Sequence, residues 1–234
     1  MVDIKSIAIV VLIIVVLLII LKFVTFKSGL TDLTDAETSQ SISASDLTSG
    51  DAGSVNFGYS IWMYVDDWNY RYGKAKVVLG RLDGDKRPCP SIVLAPTQNN
   101  LSVSMSVYPS KNSTEEVTHS CNVYNVPIQT WVNVTVSVYN KTLDVYLDGK
   151  LVRTCLLPGV PKIDGNAPVF VTPNGGFSGY TAKLQYWDKS LDPQTVWNVY
   201  KKGWSNNFLK TLSQKYQVKL SVLDNGDEQG SLTV

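Results

Sequence analysis

Between Trp131 and Leu156 apolar and polar residues change places at every step. Val132, Val134, Val136 and Val138 alternate with Asn133, Thr135 and Ser137, the period of two that marks a half-buried strand. After a turn at Asn140-Lys141 the alternation resumes with Leu143, Val145 and Leu147. Asp148-Gly149 follows, a two-residue hairpin signal because both turn positions need φ > 0. Folding both turns as two-residue loops sets Val138 opposite Leu143, Val136 opposite Val145 and Val145 opposite Val152. Asp144 then meets Arg153 on the other face. A slip of one residue sets valines against aspartates, so the register is well specified. The apolar face of this meander needs a cover, which a second sheet would supply.

The same alternation recurs along the chain. Phe57, Tyr59, Ile61, Met63 and Val65 share one face of a strand over Val55–Val65. Further strands are expected at Ala75–Arg81, Ser91–Ala95, Leu101–Val107, Val117–Tyr124, Ala167–Thr172 and Ser178–Asp188. Only one soluble stretch reads as a helix, Asp192–Lys202. Asp192 suits the N-cap and Pro193 the first helical position; Val196, Val199 and Tyr200 share a face, and Gly203 ends it. A tail hairpin is expected across Asp224-Asn225-Gly226, from Tyr216–Leu223 and Glu228–Val234. Many short strands, frequent turns and one short C-terminal helix predict an all-β fold, a two-sheet antiparallel sandwich.

The N-terminus follows neither period. Ile7–Leu21 is continuously apolar and, with Ile4 and Phe23–Phe26, supplies enough residues to cross a ~30 Å hydrocarbon core. Lys5, Lys22 and Lys27 can snorkel at its ends. A cleaved signal peptide is the other reading; the length of the run, the lack of a small-x-small cleavage site and the immediate Lys22 speak against it. Residues 1–27 are therefore expected to be a transmembrane anchor, and the flanking lysines do not fix its direction. Residues 28–54 are rich in Ser, Thr, Asp and Gly and hold no Lys or Arg. They read as a solvated tether, or else as an extended arm that orders on a neighbouring subunit. Residues 55–203 form the sandwich and residues 204–234 an extension with the hairpin.

The chain has 234 residues, ample for one β domain with a real core, and a formal net charge of +1. With no basic block, nucleic acid is not an expected partner. The three cysteines, Cys89, Cys121 and Cys155, allow one bridge and one free thiol, with Cys89–Cys121 the first pairing to consider, or three buried thiols.

VNFGYSIWMYV, the meander TWVNVTVSVYNKTLDVYLDGKLV and TAKLQYWDKSLDPQTVWNVYKKG resemble the concanavalin A-like jelly roll in its laminin-G-like form. The resemblance covers roughly residues 55–203. It implies the fold more strongly than the function, because this fold hosts lectins, glycosidases and adhesion modules. The anchor-then-sandwich order also resembles membrane-anchored structural proteins, minor capsid proteins, of large DNA viruses of algae and protists.

Glycosidases of such folds need two carboxylates about 5 Å apart, which the family sets as Glu-x-Asp-x-Glu on one strand face. That pattern is absent from the sequence; Glu115 and Glu116 are adjacent and point to opposite faces if extended. His119 is the only histidine, without a nucleophile elbow or a paired-cysteine metal spacing beside it. No enzymatic activity is expected. Laminin-G-like domains can bind calcium at a loop rim, for which Asp66, Asp67, Asp83 and Asp85 are the candidates by position, although solvated turns explain them equally.

The loop DDWNYRYGK carries Trp68, Tyr70, Arg71 and Tyr72, the residue types of protein hot spots and sugar stacking; the bland alternative is a lid on the sandwich edge. Asn100, Asn112, Asn133 and Asn140 each begin an Asn-x-Ser/Thr triplet. Asn133 on a polar strand face and Asn140 at a turn are expected to be reachable. The sequence thus points to a non-enzymatic structural protein that ties a lipid membrane to a protein layer, in its most specific form a capsid. A membrane-displayed glycan-binding or adhesion module is the alternative, and a Trp/Asn/Asp cluster on a concave sheet face would favour it.

Overall fold

A computed structural model describes residues 29–47, 55–109, 115–205, 219–224 and 227–233, the last two ranges by their backbone. The expected anchor, residues 1–27, lies outside the described residues. Among the described residues no helix is long and apolar enough to cross a membrane.

The elements in chain order are β1 (Thr34–Asp35), β2 (Gln40–Ile42), β3 (Phe57–Asp67), β4 (Lys76–Leu82), β5 (Pro88–Leu94), β6 (Leu101–Tyr108) and β7 (Val117–Val123). They continue with β8 (Trp131–Tyr139), β9 (Thr142–Leu147), β10 (Lys150–Leu156), β11 (Val160–Pro161), β12 (Val169–Val171), β13 (Ser178–Trp187) and α1 (Pro193–Lys201). The front sheet has the order β1-β13-β3-β8-β9-β10, and the back sheet β11-β6-β5-β4-β12-β2 with β7 also on β6. All pairings are antiparallel. The predicted all-β sandwich with one short helix is thus the fold. The last two strands, β14 (Lys219–Asp224) and β15 (Asp227–Thr233), form the expected tail hairpin as a separate unit.

The core lies between the sheets. Phe57, Tyr59, Ile61, Met63 and Val65 of β3 and Val132, Val134, Val136 and Val138 of β8 all point into it, against Val78, Leu79, Ile92, Leu94, Val103 and Met105 of the back sheet. The period-two reading is therefore correct on both strands.

Three expectations change. Residues 34–35 and 40–42 of the expected tether pair into the two sheets, β1 on β13 and β2 on β12. Ala36, Ile42 and Leu47 are buried in the core. These few apolar residues suffice because each sheet offers an edge to pair with, so backbone hydrogen bonds hold what a polar composition cannot. The arm orders on its own domain.

The second change is in the meander. Val138 faces Leu143 and Val136 faces Val145 as expected, but Val145 faces Arg153 and Asp144 faces Thr154, across a bulge between Leu151 and Arg153. The extra residue flips every side chain beyond it to the other face. An unbulged hairpin would turn Thr154 inward opposite Leu143; the bulge puts Cys155 there instead.

That inward turn produces the third change. The disulfide joins Cys121 to Cys155, not Cys89 to Cys121, and Cys89 is a buried free thiol. Cys121 is on β7 and Cys155 on β10, so the bridge ties the back sheet to the last strand of the front sheet. Burial pushes the Cys89 thiol up to about 11, away from reactivity at neutral pH.

Candidate functional site

The outer face of the front sheet is built from the positions out of phase with the core. Cross-strand pairing arranges them in rows. Tyr180, Tyr64 and Trp131 form the first row, and Ala182, Trp62 and Asn133 the second. A bulge in β13 between Ala182 and Gln185 restores the phase, so Gln185, Ser60 and Thr135 form the third row, and Trp187, Gly58 and Ser137 the fourth.

Rows two to four are covered. Asp192 caps α1 by accepting from the Thr195 N–H at 2.9 Å, and Pro193 opens the helix. Val196 and Val199 are buried on its inner side. Tyr200 stacks on Trp62 with ring centres 5.7 Å apart. Leu191 exchanges two hydrogen bonds with Ser137: its N–H donates to Oγ at 2.8 Å and its carbonyl accepts from Oγ at 3.3 Å. Below this cover, Asn133 Nδ2 donates to Ser60 Oγ, Thr135 Oγ1 donates to Asn133 Oδ1 and the Ser60 hydroxyl pairs with Thr135 Oγ1, each at 2.9 Å. Asn133 is 0% exposed, so it cannot be reached as expected from its polar strand face. A polar face of one layer is interior once a helix lies on it.

The first row stays open. Tyr64 lies 5.7 Å from Trp131 and 6.4 Å from Tyr180 between ring centres, tilted by about 50° in each pair. Trp204 stacks on Trp131 at 4.4 Å. Tyr180 is 46% exposed. With Leu33 and Asp66 these rings line a shallow groove of about 410 Å³. Such a surface offers apolar ring faces and one carboxylate to a ligand that is apolar on one side and hydroxylated on the other. Sequence alone did not single out this row, although its signal is there: Tyr64, Trp131 and Tyr180 are aromatic residues at positions where the alternation calls for polar ones.

The aromatic loop expected to make contacts is mostly folded inward. Trp68 packs against the core, and the Lys76 ammonium sits 4.8 Å from its ring centre. Lys76 is 0% exposed, and burial, with the nearby Arg71 charge, holds its pKa below the usual lysine value. Arg71 Nη1 donates to the Gly176 carbonyl at 3.0 Å, and the Tyr70 hydroxyl lies against Gly175. Only Tyr72 presents its ring to solvent, 60% exposed.

The acidic candidates separate as well. Asp83 and Asp85 come together with Glu116, their oxygens within 4.8 Å of one another. Asp66 instead rims the groove, and Asp67 Oδ1 accepts from the Asn69 backbone and side chain. Lys162 enters this cluster, its ammonium 2.5 Å from Asp83 Oδ2 and 2.5 Å from Glu116 Oε1. Arg87 adds a second bridge to Glu116 at 2.9 Å. The Lys162 bond holds the Glu116 carboxyl below its usual value. Burial pushes Asp83 up, but Lys162 and the N–H groups of Arg87 and Asp85 outweigh it and the net shift is down. The cluster is an ion-pair lock between loops of the back sheet.

Of the remaining candidates, Asn100 Nδ2 donates to Gln98 Oε1 and its Oδ1 accepts from the Asn125 N–H. Asn140 is exposed at the β8–β9 turn. Asn112 lies outside the described residues. His119 is on β7 opposite Met105.

A two-sheet antiparallel sandwich with this strand order has the concanavalin A-like architecture. The laminin-G-type profile of the concanavalin A-like lectin/glucanases superfamily matches residues 36–197, and the chain belongs to that superfamily. The match begins inside the arm that the sequence alone reads as a tether. No curated protein sequence matches the chain. Among solved structures it is similar in fold to a point mutant of HCR/D, at 11% identity and a TM-score of 0.52 over 67% of this chain and 39% of the other. The binding domain of botulinum neurotoxin DC in complex with SialylT gives 14% identity and a TM-score of 0.50 over 65% and 36%. The receptor binding domain of botulinum neurotoxin C/D mosaic serotype gives 10% and 0.50 over 64% and 37%. The match thus spans well under two thirds of the length of those chains, and at these identities the likeness concerns the fold.

Proposed function

We propose that the chain is a non-enzymatic binding module displayed from a membrane, with residues 1–27 as the anchor and the aromatic row as the contact surface for a glycan. The observation that carries this reading is the open groove of Tyr64, Trp131, Tyr180 and Trp204 with Asp66 at its rim. The rings match the C–H faces of sugar rings, and the carboxylate matches their hydroxyls. SialylT in the complex of one structural neighbour is in keeping with this use of the fold. The non-enzymatic part is supported by Glu116, tied into two ion pairs, and by His119, which lies on a strand without a nucleophile in hydrogen-bond contact among the described residues. The test is a glycan panel with the wild-type chain and with Trp131→Ala and Tyr180→Ala. Each substitution should weaken binding about tenfold. Failure of the wild-type chain to retain any glycan overturns the reading, and turnover of a β-glucan overturns its non-enzymatic part.

A second reading makes the chain a structural link between a membrane and a protein layer, most specifically a minor capsid protein joining an internal membrane to the capsid. It is favoured by β10, an edge strand whose Leu151, Val152 and Leu156 face solvent, as a strand-adding partner would require. Loss of the chain from assembled particles on Leu156→Asp, with glycan binding intact, would select this reading over the first.

A further inference from the structure

Asn140 differs from the other described triplet asparagines in its surroundings. Asn133 is sealed below α1 and bonded to Ser60. Both polar atoms of the Asn100 side chain are engaged. Asn140 sits at a hairpin turn with φ 51°; its backbone N–H donates to Asn56 Oδ1 at 2.8 Å, and its side chain projects to solvent. Beside it lies an open hollow of about 500 Å³ lined by Val55, Tyr139, Asn140, Lys141, Thr142 and Val160. Val55, Tyr139 and Val160 expose 38%, 57% and 44% of their surface there, an apolar patch uncovered by any described element. A sugar attached at Asn140 would lay its C–H face over the Tyr139 ring and dry this patch.

A second, independent observation concerns the compartment. The Cys121–Cys155 bridge is buried, at 0% and 8% exposure, and links the two sheets. Cytosolic thiol pools keep such cysteines reduced, whereas a secretory lumen oxidises them. Enzymes that modify Asn-x-Ser/Thr act in the same lumen.

We propose that Asn140 is an N-glycosylation site and that the domain therefore lies on the non-cytosolic side of the membrane. In the transfer, Asn140 Nδ2 attacks the anomeric carbon of an oligosaccharide carried on a polyprenyl pyrophosphate. The C–N bond forms as the anomeric C–O bond breaks, the amide gives up one proton, and the lipid pyrophosphate leaves. At Asn133 the same product cannot coexist with the packing of α1, so chains modified there do not fold. The topology half of the proposal rests on the anchor reading above.

The test uses the full chain in cultured eukaryotic cells, with Asn112→Gln in the background and a reporter glycosylation tag at the C-terminus. Three quantities are read: glycosidase-sensitive mobility, site occupancy by peptide mass spectrometry, and maleimide-reactive thiols in denaturant without reductant. The expected result is one thiol per chain, a modified tag, and a domain glycan that Asn140→Gln abolishes and Asn133→Gln leaves in place. A modified tag with Asn140 unoccupied overturns the site. An unmodified tag puts the domain in the cytosol and overturns the topology, and three reactive thiols remove the argument for an oxidising compartment. Release of a soluble chain carrying the Asn140 glycan would confirm the site while defeating the anchor, so the two failures are distinguishable.

Discussion

The two ends of one sheet face make the instructive comparison. Strands β3, β8 and β13 run beneath both. At one end their outward residues include the polar Ser60, Asn133, Thr135, Ser137 and Gln185 together with Trp62 and Trp187, and at the other they are Tyr64, Trp131 and Tyr180. The end that carries the polar cluster is buried and the wholly aromatic row is open, so side-chain hydrophobicity alone does not decide which is covered. The difference is the cover. Helix α1 and Leu191 lie over the polar end; Leu191 bonds Ser137, and Ser60, Asn133 and Thr135 bond one another beneath the cover. Over the aromatic end, among the described residues, Trp204 comes down onto Trp131. Burial of polar groups is tolerated where every partner is supplied. Exposure of aromatic rings in a contiguous row marks a surface kept for contact. One end is thus packed beneath the helix, and the other is the surface on which the proposed binding rests.

Substitutions at the two ends should separate along that line. The largest effect is expected at Gly149, which holds φ +75° and whose added Cβ would sit 2.8 Å from Trp197 Cε3. Gly149→Val combines backbone strain with overpacking below the helix, on the order of 4 kcal/mol of stability, read by denaturant unfolding. An unchanged midpoint would detach α1 from the sheet and erase the contrast. Asn133→Ala comes next: it removes one donor to Ser60 and the acceptor of Thr135 Oγ1 and should destabilise by roughly 2–3 kcal/mol with glycan binding unchanged. At the open end Tyr180→Ala should shift unfolding by less than about 1 kcal/mol while weakening ligand binding. If Tyr180→Ala proves as destabilising as Asn133→Ala, the aromatic row is packing, and the comparison collapses.

Much of this could be read along the chain. The inward valines of β8 and the alternate apolar positions of β3 announce their strands because the pleat has a period of two. Asp148 and Gly149 both adopt positive φ, as the Asp-Gly turn requires. Asp192 and Pro193 begin the helix where capping chemistry places them. Other residues misled. Asn133 is a polar strand residue by every local criterion, and nothing within several positions of it reveals that Leu191 and α1 return to cover that face. Trp68 and Tyr70 are loop aromatics by local criteria, but the back-sheet Lys76 and the Gly175-Gly176 turn receive them.

The sequence by itself determined the strands, the hairpin turns, the helix and its cap, and hence a two-sheet sandwich, because each follows from periodicity or backbone preference within a few residues. The tertiary structure alone decided the rest. A bulge of one residue in β10 turned Cys155 inward and so chose its disulfide partner across the sheets. Edge pairing drew a polar arm into both sheets, and Lys162, far along the chain, came to pair with Asp83 and Glu116. Each of these depends on which surface arrives opposite a given residue, and that is set by packing between segments distant in sequence.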